Sequence, residues 1–193
     1  MSRLPYEVQQ IIDQQVSKLI RKDSEAMMQD KLLLLKSELI EAFLNHPVTE
    51  EILAGPEASN TSGTLGGYGN LFSFIGFEVD DKPIAEILKI FESIDFVFSG
   101  EVSSGNNFKV TFPTAQDIFD VTPMPWATGR SWAKGIETGI SGLGYYIFRK
   151  NAQSRSEHGI QTSVNPRGSA QFSNTKYISD LLNKYKMKFL KLS

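Results

Sequence analysis

The side chains able to do chemistry are few and scattered along this sequence. His46 and His158 are the only imidazoles among 193 residues, and cysteine is absent. A nucleophile relay or a multi-histidine metal centre needs an imidazole beside its partner groups. His46 instead precedes Pro47 at the end of a helical pattern, and His158 sits in the polar stretch Ser154-Arg155-Ser156-Glu157-His158-Gly159; both read as structural or solvated. The missing cysteine removes disulfides, thiolate ligands and cysteine nucleophiles together. The best carboxylate pairs are Asp80-Asp81 and Asp117 with Asp120. A Mg or Ca site needs several such oxygens converging, and no D-x-D-x-D-G loop is present. A hydrolase acting through Asp or Glu is the one enzyme reading left, and no spacing among the 22 acids selects its residues. The glycine run from Gly63 to Gly69 lacks the lysine of a nucleotide-phosphate cradle. The expectation is a protein that is not an enzyme, with no cofactor and no metal.

The richest stretch for contacts rather than catalysis is PMPWATGRSWAKGIETGISGLGYYIF, residues 123–148. It holds both tryptophans, with Trp126 and Trp132 flanking Thr128-Gly129-Arg130, and it places Gly135 and Gly139 four residues apart. On a helix those glycines share a face, and each costs roughly 1 kcal/mol relative to alanine. Close approach of a neighbouring backbone is a compensating gain, and a core aromatic with loop glycines is the alternative. Aromatic residues and arginine supply much of the energy of protein interfaces, so Trp126, Arg130 and Trp132, with Tyr68 and Phe72, are the expected interface residues.

These groups must be positioned by an α+β domain. Pro5 opens a helical pattern with Val8, Ile11, Ile12, Val16, Leu19 and Ile20 at spacings of three and four. After a polar knot from Arg21 to Glu25, Ser24 is positioned to cap a second helix carrying Met27, Met28, Leu32, Leu35, Leu39, Ile40 and Phe43. Either one bent helix or two in series results, about 60 Å long if continuous. A helix of that length packs outside its own domain or folds back on the sheet. His46-Pro47 stops it, and Thr49 is the expected cap of a brief turn through Leu53.

Residues 55–70, with five glycines and neither lysine nor arginine, read as a loop or extended arm. Leu71 to Val79 alternates as a strand, and Pro83 to Phe91 reads as a short helix. Ile94 to Val102 and Asn107 to Phe112 form an expected antiparallel hairpin. Thr114 opens a further small helix, Tyr145 to Arg149 and Gly159 to Val164 are two more strand candidates, and Tyr177 to Leu190 closes the chain as an amphipathic helix. The fold expected is a small mixed or antiparallel sheet packed with short helices, a long N-terminal helical segment and an extended Gly-rich loop. The divisions are 1–45 for the helical segment, 46–70 for the arm and 71–193 for the core with its C-terminal helix.

A net charge of −2 conceals an asymmetry. From Arg149 to Ser193 nine basic residues face two acids, and from Glu78 to Asp120 nine acids face three lysines. Arg149, Lys150, Arg155, Arg167, Lys184, Lys186 and Lys188 make the expected basic surface. It suits either DNA or the acidic part of a neighbouring subunit. The second fits better, because aromatic stacking motifs are not interleaved with the basic residues. No apolar run approaches the roughly 20 residues that span a bilayer, and no signal-peptide pattern opens the sequence, so no membrane partner is expected.

The order Glu38-Leu39-Ile40-Glu41-Ala42-Phe43, His46-Pro47-Val48-Thr49-Glu50-Glu51-Ile52, Thr61-Ser62-Gly63-Thr64-Leu65 and Gly69-Asn70-Leu71-Phe72-Ser73-Phe74-Ile75-Gly76-Phe77 resembles virion proteins of tailed bacteriophages. Pro125-Trp126, Gly129-Arg130-Ser131-Trp132, Ser154-Arg155-Ser156, Gly159-Ile160-Gln161 and Thr175-Lys176-Tyr177-Ile178 are similar to blocks of neck and tail-completion proteins, the head-tail connector and tail-terminator group. The resemblance spans roughly residues 35–185 and includes no catalytic motif. It implies a structural virion protein, assembled in the host cytoplasm, that forms a homo-oligomeric ring at the head-tail junction. Implied partners are further copies of itself, other neck, portal or tail proteins, and DNA passing through a lumen. The long N-terminal helix departs from the family pattern. A DNA-binding or packaging accessory protein using the basic C-terminal region is the alternative.

Overall fold

A computed structural model describes residues 5–65, 69–102, 105–138 and 175–191. The chain is α+β, with seven helices and two small antiparallel two-stranded sheets among the described residues. The first helix, α1 (Tyr6–Leu44), is 39 residues long and unbroken. It contains neither glycine nor proline, the residues that most penalise a helix interior. Ser24 therefore does not start a second helix: its hydroxyl donates back to the Ile20 carbonyl at 2.7 Å, which satisfies the side chain within the helix. The cap expected at Thr49 is corrected too. His46 accepts the Val48 N–H through Nδ1 at 3.2 Å and starts α2 (Pro47–Leu53), with Pro47 at the first turn, where its missing N–H costs no helical bond.

The segment read as a strand at Leu71 to Val79 is instead a short helix, α3 (Leu71–Ile75), followed by a turn. Two residues decide this against the alternating pattern. Asn70 caps the helix by accepting the Ser73 N–H at 2.9 Å. Gly76, at φ +89°, ends it in the left-handed conformation. The Phe77 N–H reaches back to the Phe72 carbonyl and the Gly76 N–H to that of Ser73, and the rings of Phe72 and Phe77 close over the turn at 5.4 Å. These are the bonds and the apolar contact of a Schellman motif.

Helix α4 (Ala85–Glu92) leads into the hairpin of β1 (Asp95–Val102) and β2 (Gly105–Thr111), which pair antiparallel with a register shift between Phe98 and Gly100. Thr114 and Asp117 form a reciprocal capping box at the start of α5 (Ala115–Asp120). The short ladder of β3 (Pro123–Met124) and β4 (Ala127–Ser131) runs into α6 (Trp132–Thr138), and α7 (Ile178–Leu190) closes the described chain. The strand candidates at 145–149 and 159–164, together with His158, lie outside the described residues.

The core is one apolar cluster in which Leu32, Leu35, Leu39 and Phe43 of α1 meet Ile87 and Phe91 of α4 and Leu182 and Tyr185 of α7. Phe43 sits edge-on to Phe91 at 5.2 Å and stacks on Tyr177 at 6.0 Å. Tyr177 also contacts the rings of His46 and Trp132, and its hydroxyl bonds Thr49 Oγ1 at 2.7 Å. Burial pushes the Tyr177 phenol well above its usual range.

Candidate assembly surfaces

The described residues contain no group of three or more His, Asp or Glu side chains able to hold a metal. Nor is any described helix long and apolar enough to cross a membrane. The two expected carboxylate pairs have local duties: Asp81 accepts the Glu78 N–H at 2.8 Å, and Asp117 completes the α5 cap. The Thr114 backbone and hydroxyl donate to Asp117 and hold its carboxyl below the usual range. Asp120 accepts from the Gln116 amide. His46 is likewise committed, with Nδ1 capping α2 and the ring against Tyr177. Its partial burial lowers its pKa by disfavouring the charged imidazole.

The proposed interface residues separate by burial. Trp132 is 1% exposed, with its ring edge-on to Phe77 at 5.8 Å, and Phe72 is buried in the same core. That burial turns both away from any partner and corrects the surface role expected from residue type alone. Trp126 is half-buried: its Nε1–H donates to the Ile75 carbonyl at 2.7 Å, and its ring lies over Gly76, where a Cβ would come within 3.1 Å of Cδ1. The close approach of a backbone to this block is thus intramolecular and falls on Gly76. Gly135 is buried within α6, and Gly139 lies outside the described residues. Arg130 is exposed on β4, and Tyr68 lies outside the described residues.

The Gly-rich arm is anchored in its described part. Glu51, 1% exposed on α2, accepts the Leu71 N–H at 2.7 Å through one carboxylate oxygen and the Ser62 N–H at 2.9 Å through the other. One buried carboxylate therefore ties the middle of the loop, at Ser62, and the residue that follows it, Leu71, to α2. Thr64 and Leu65 are buried, and Thr64 Oγ1 lies 3.2 Å from Thr175 Oγ1. A second carboxylate does similar work for α7, where Glu137 accepts the Ser179 N–H at 2.7 Å and its hydroxyl at 2.6 Å.

Of the expected basic surface, Arg149, Lys150, Arg155 and Arg167 lie outside the described residues. Lys184 and Lys186 are exposed on α7. Lys188, its side chain about 42% exposed, forms an ion pair with Glu38 of α1, and that hydrogen bond raises its pKa.

Two further apolar surfaces are open among the described residues, the first of them the helical pattern expected to pack outside its own domain. The first is the outer half of α1. Every residue from Tyr6 to Asp23 is exposed, although the set includes Val8, Ile11, Ile12, Val16, Leu19 and Ile20. Leu19 is 63% exposed and Ile11 56%. At about 100° per residue, this stripe lies on the opposite side of the rod from Met28, Leu32, Leu35, Leu39 and Phe43, which face the chain's own core. Met27, Leu33 and Leu34 extend the exposed apolar surface toward the base.

The second is a half-open groove of about 560 Å³ between the middle of α1, the hairpin and α7. Met27, Met28, Phe108, Val110, Phe112 and Phe189 give it an apolar lining. Lys31, Lys109 and Lys186 stand around it, and no carboxylate is among its lining residues. The groove draws its walls from three elements that run from Ser24 to Leu190 in the sequence, so no local pattern announces it. The Arg21 guanidinium lies 3.9 Å from the Phe98 ring centroid, and Asn106 Nδ2 donates to Ser24 Oγ at 3.1 Å, together fixing the hairpin against the helix.

No family model matches the sequence, and neither a curated protein nor a solved structure matches it.

Proposed function

We propose that this chain is a homo-oligomeric structural protein that assembles into a ring, of the kind found at the head-tail junction of tailed bacteriophages as a neck, connector or tail-completion component. The observation that carries the oligomeric part is the bare outer half of α1. Six aliphatic side chains in line on a projecting helix form an apolar surface of the sort that marks an interaction site. Most helical stability in proteins comes from tertiary packing, which the outer half of α1 lacks within its own chain, so a packing neighbour also stabilises the rod. The virion part rests on the ordered sequence blocks from Glu38 to Ile178.

Native mass spectrometry of the purified chain tests the first part, and a closed oligomer of defined stoichiometry is the expected result. Mass spectrometry of mature particles of a tailed phage that encodes the chain tests the second. A protein that stays monomeric at every concentration and is missing from particles removes the reading. The alternative, DNA binding through the basic C-terminal region, has Lys184 and Lys186 in its favour as exposed cations on one helix. A DNA affinity that falls steeply with salt would support it.

A further inference from the structure

The exposed stripe of α1 and the groove beside the middle of that helix are two unpartnered apolar surfaces of the described chain, and they differ in charge. From Tyr6 to Ser17 the outer helix carries Glu7 and Asp13 and no lysine or arginine. The groove carries Lys31, Lys109 and Lys186 and no carboxylate. We propose that the acidic tip of α1 from one copy docks into the basic-rimmed groove of the next, so that Val8, Ile12 and Val16 fill the apolar lining. This rests on the homo-oligomer reading and specifies its interface.

Three observations favour that occupant. The tip cannot reach its own groove, because α1 runs unbroken from Tyr6 to Leu44 and supplies the groove wall at Ser24, Met27, Met28 and Lys31. Apolar residues at intervals of four match the helix-in-groove mode, in which one face of an amphipathic helix lies against an apolar trough. A volume of about 560 Å³ is that of an ordinary ligand-binding cleft, and three small aliphatic side chains fit within it. Joining two different patches of the same chain makes a heterologous contact, which propagates head to tail and closes into a ring if the rotation allows. Pairing stripe against stripe would instead give a two-fold dimer and leave the groove empty.

The absence of cysteine makes the test clean. A Val16→Cys chain and an Asn107→Cys chain are mixed and treated with a short bis-maleimide. The expected product is a covalent dimer joining positions 16 and 107, formed only in the mixture. If Val16→Cys disturbs packing, Lys18→Cys at the edge of the stripe takes its place. A Lys31→Glu/Lys109→Glu chain should also associate at least about tenfold more weakly and recover with a Glu7→Lys/Asp13→Lys partner.

Efficient cross-linking of the Val16→Cys chain to itself, in a protein that is still oligomeric, overturns this interface and leaves the oligomer standing. An oligomer that forms with neither cross-link, or a charge swap that restores nothing, overturns it in the same way. A strictly monomeric chain overturns both.

Discussion

The two halves of α1 are written in the same alphabet and meet opposite fates. Leu32, Leu35, Leu39 and Phe43 are buried against α4 and α7, whereas Val8, Ile12, Val16 and Leu19 are exposed. Both sets recur every three or four residues, so both dictate a helix with an apolar face. What differs is whether the same chain supplies the cover. Periodicity shows that a face must be buried and carries no information about whose surface buries it.

The sharpest test of this contrast is Phe43→Ala. It removes a ring packed on Phe91 and Tyr177 and should cost about 3–5 kcal/mol of folding stability, measured by urea unfolding. Next comes Glu51→Ala, which strips the acceptor from the Leu71 and Ser62 N–H groups. Leaving a buried donor unsatisfied costs about 1–3 kcal/mol, and hydrogen exchange at residues 62 and 71 should accelerate. A normally protected Leu71 amide in that variant would refute the anchoring of the loop.

A smaller effect should follow pH. The folded His46 has a lowered pKa, so the unfolded state binds the proton more readily. The penalty is absent above the ordinary histidine value of about 6.5. It grows as pH falls from there through the lower folded value and is constant below that. Protonation also removes the Nδ1 acceptor used by the Val48 N–H. His46→Asn keeps an N-cap acceptor and should flatten the histidine part of the stability profile. An unchanged slope between neutral pH and pH 5 would show that another group is responsible.

Smallest of all is Leu19→Ala, expected to change the stability of the dilute monomer by no more than about 0.5 kcal/mol while weakening self-association. If it destabilised the dilute monomer as much as Phe43→Ala does, the two halves of the helix would not differ as described.

Much of the fold was legible because it is local. The three-and-four spacing from Val8 to Phe43, the two β-rich runs of the hairpin, the second of which starts at Gly105 rather than Asn107, and Thr114 with Asp117 each specify an element within a few residues. The miss at α3 has an equally local cause. Leu71-Phe72-Ser73-Phe74-Ile75 alternates like a strand, but Asn70 and Gly76, a cap and a left-handed stop, outweigh the alternation. The candidate surfaces were harder to read. Trp132 and Phe72 have the residue types of an interface yet lie in the core, because type reports what burial is worth and not where it occurs. The groove joins Lys31, Lys109 and Lys186, which only the tertiary fold brings together.

The uninterrupted rod also behaves as a lever. Its inner end is clamped by Phe43, by the Glu38–Lys188 pair and by the contact of Tyr185 with the Glu38 carbonyl. The free arm from Asp23 to Tyr6 spans about 27 Å with no glycine or proline to absorb a bend, so a tilt of about 10° at its base displaces the tip by roughly 5 Å. Small adjustments where α7 meets α1 are thereby magnified at the far end, and the angle between a subunit and whatever its tip engages is set in the core.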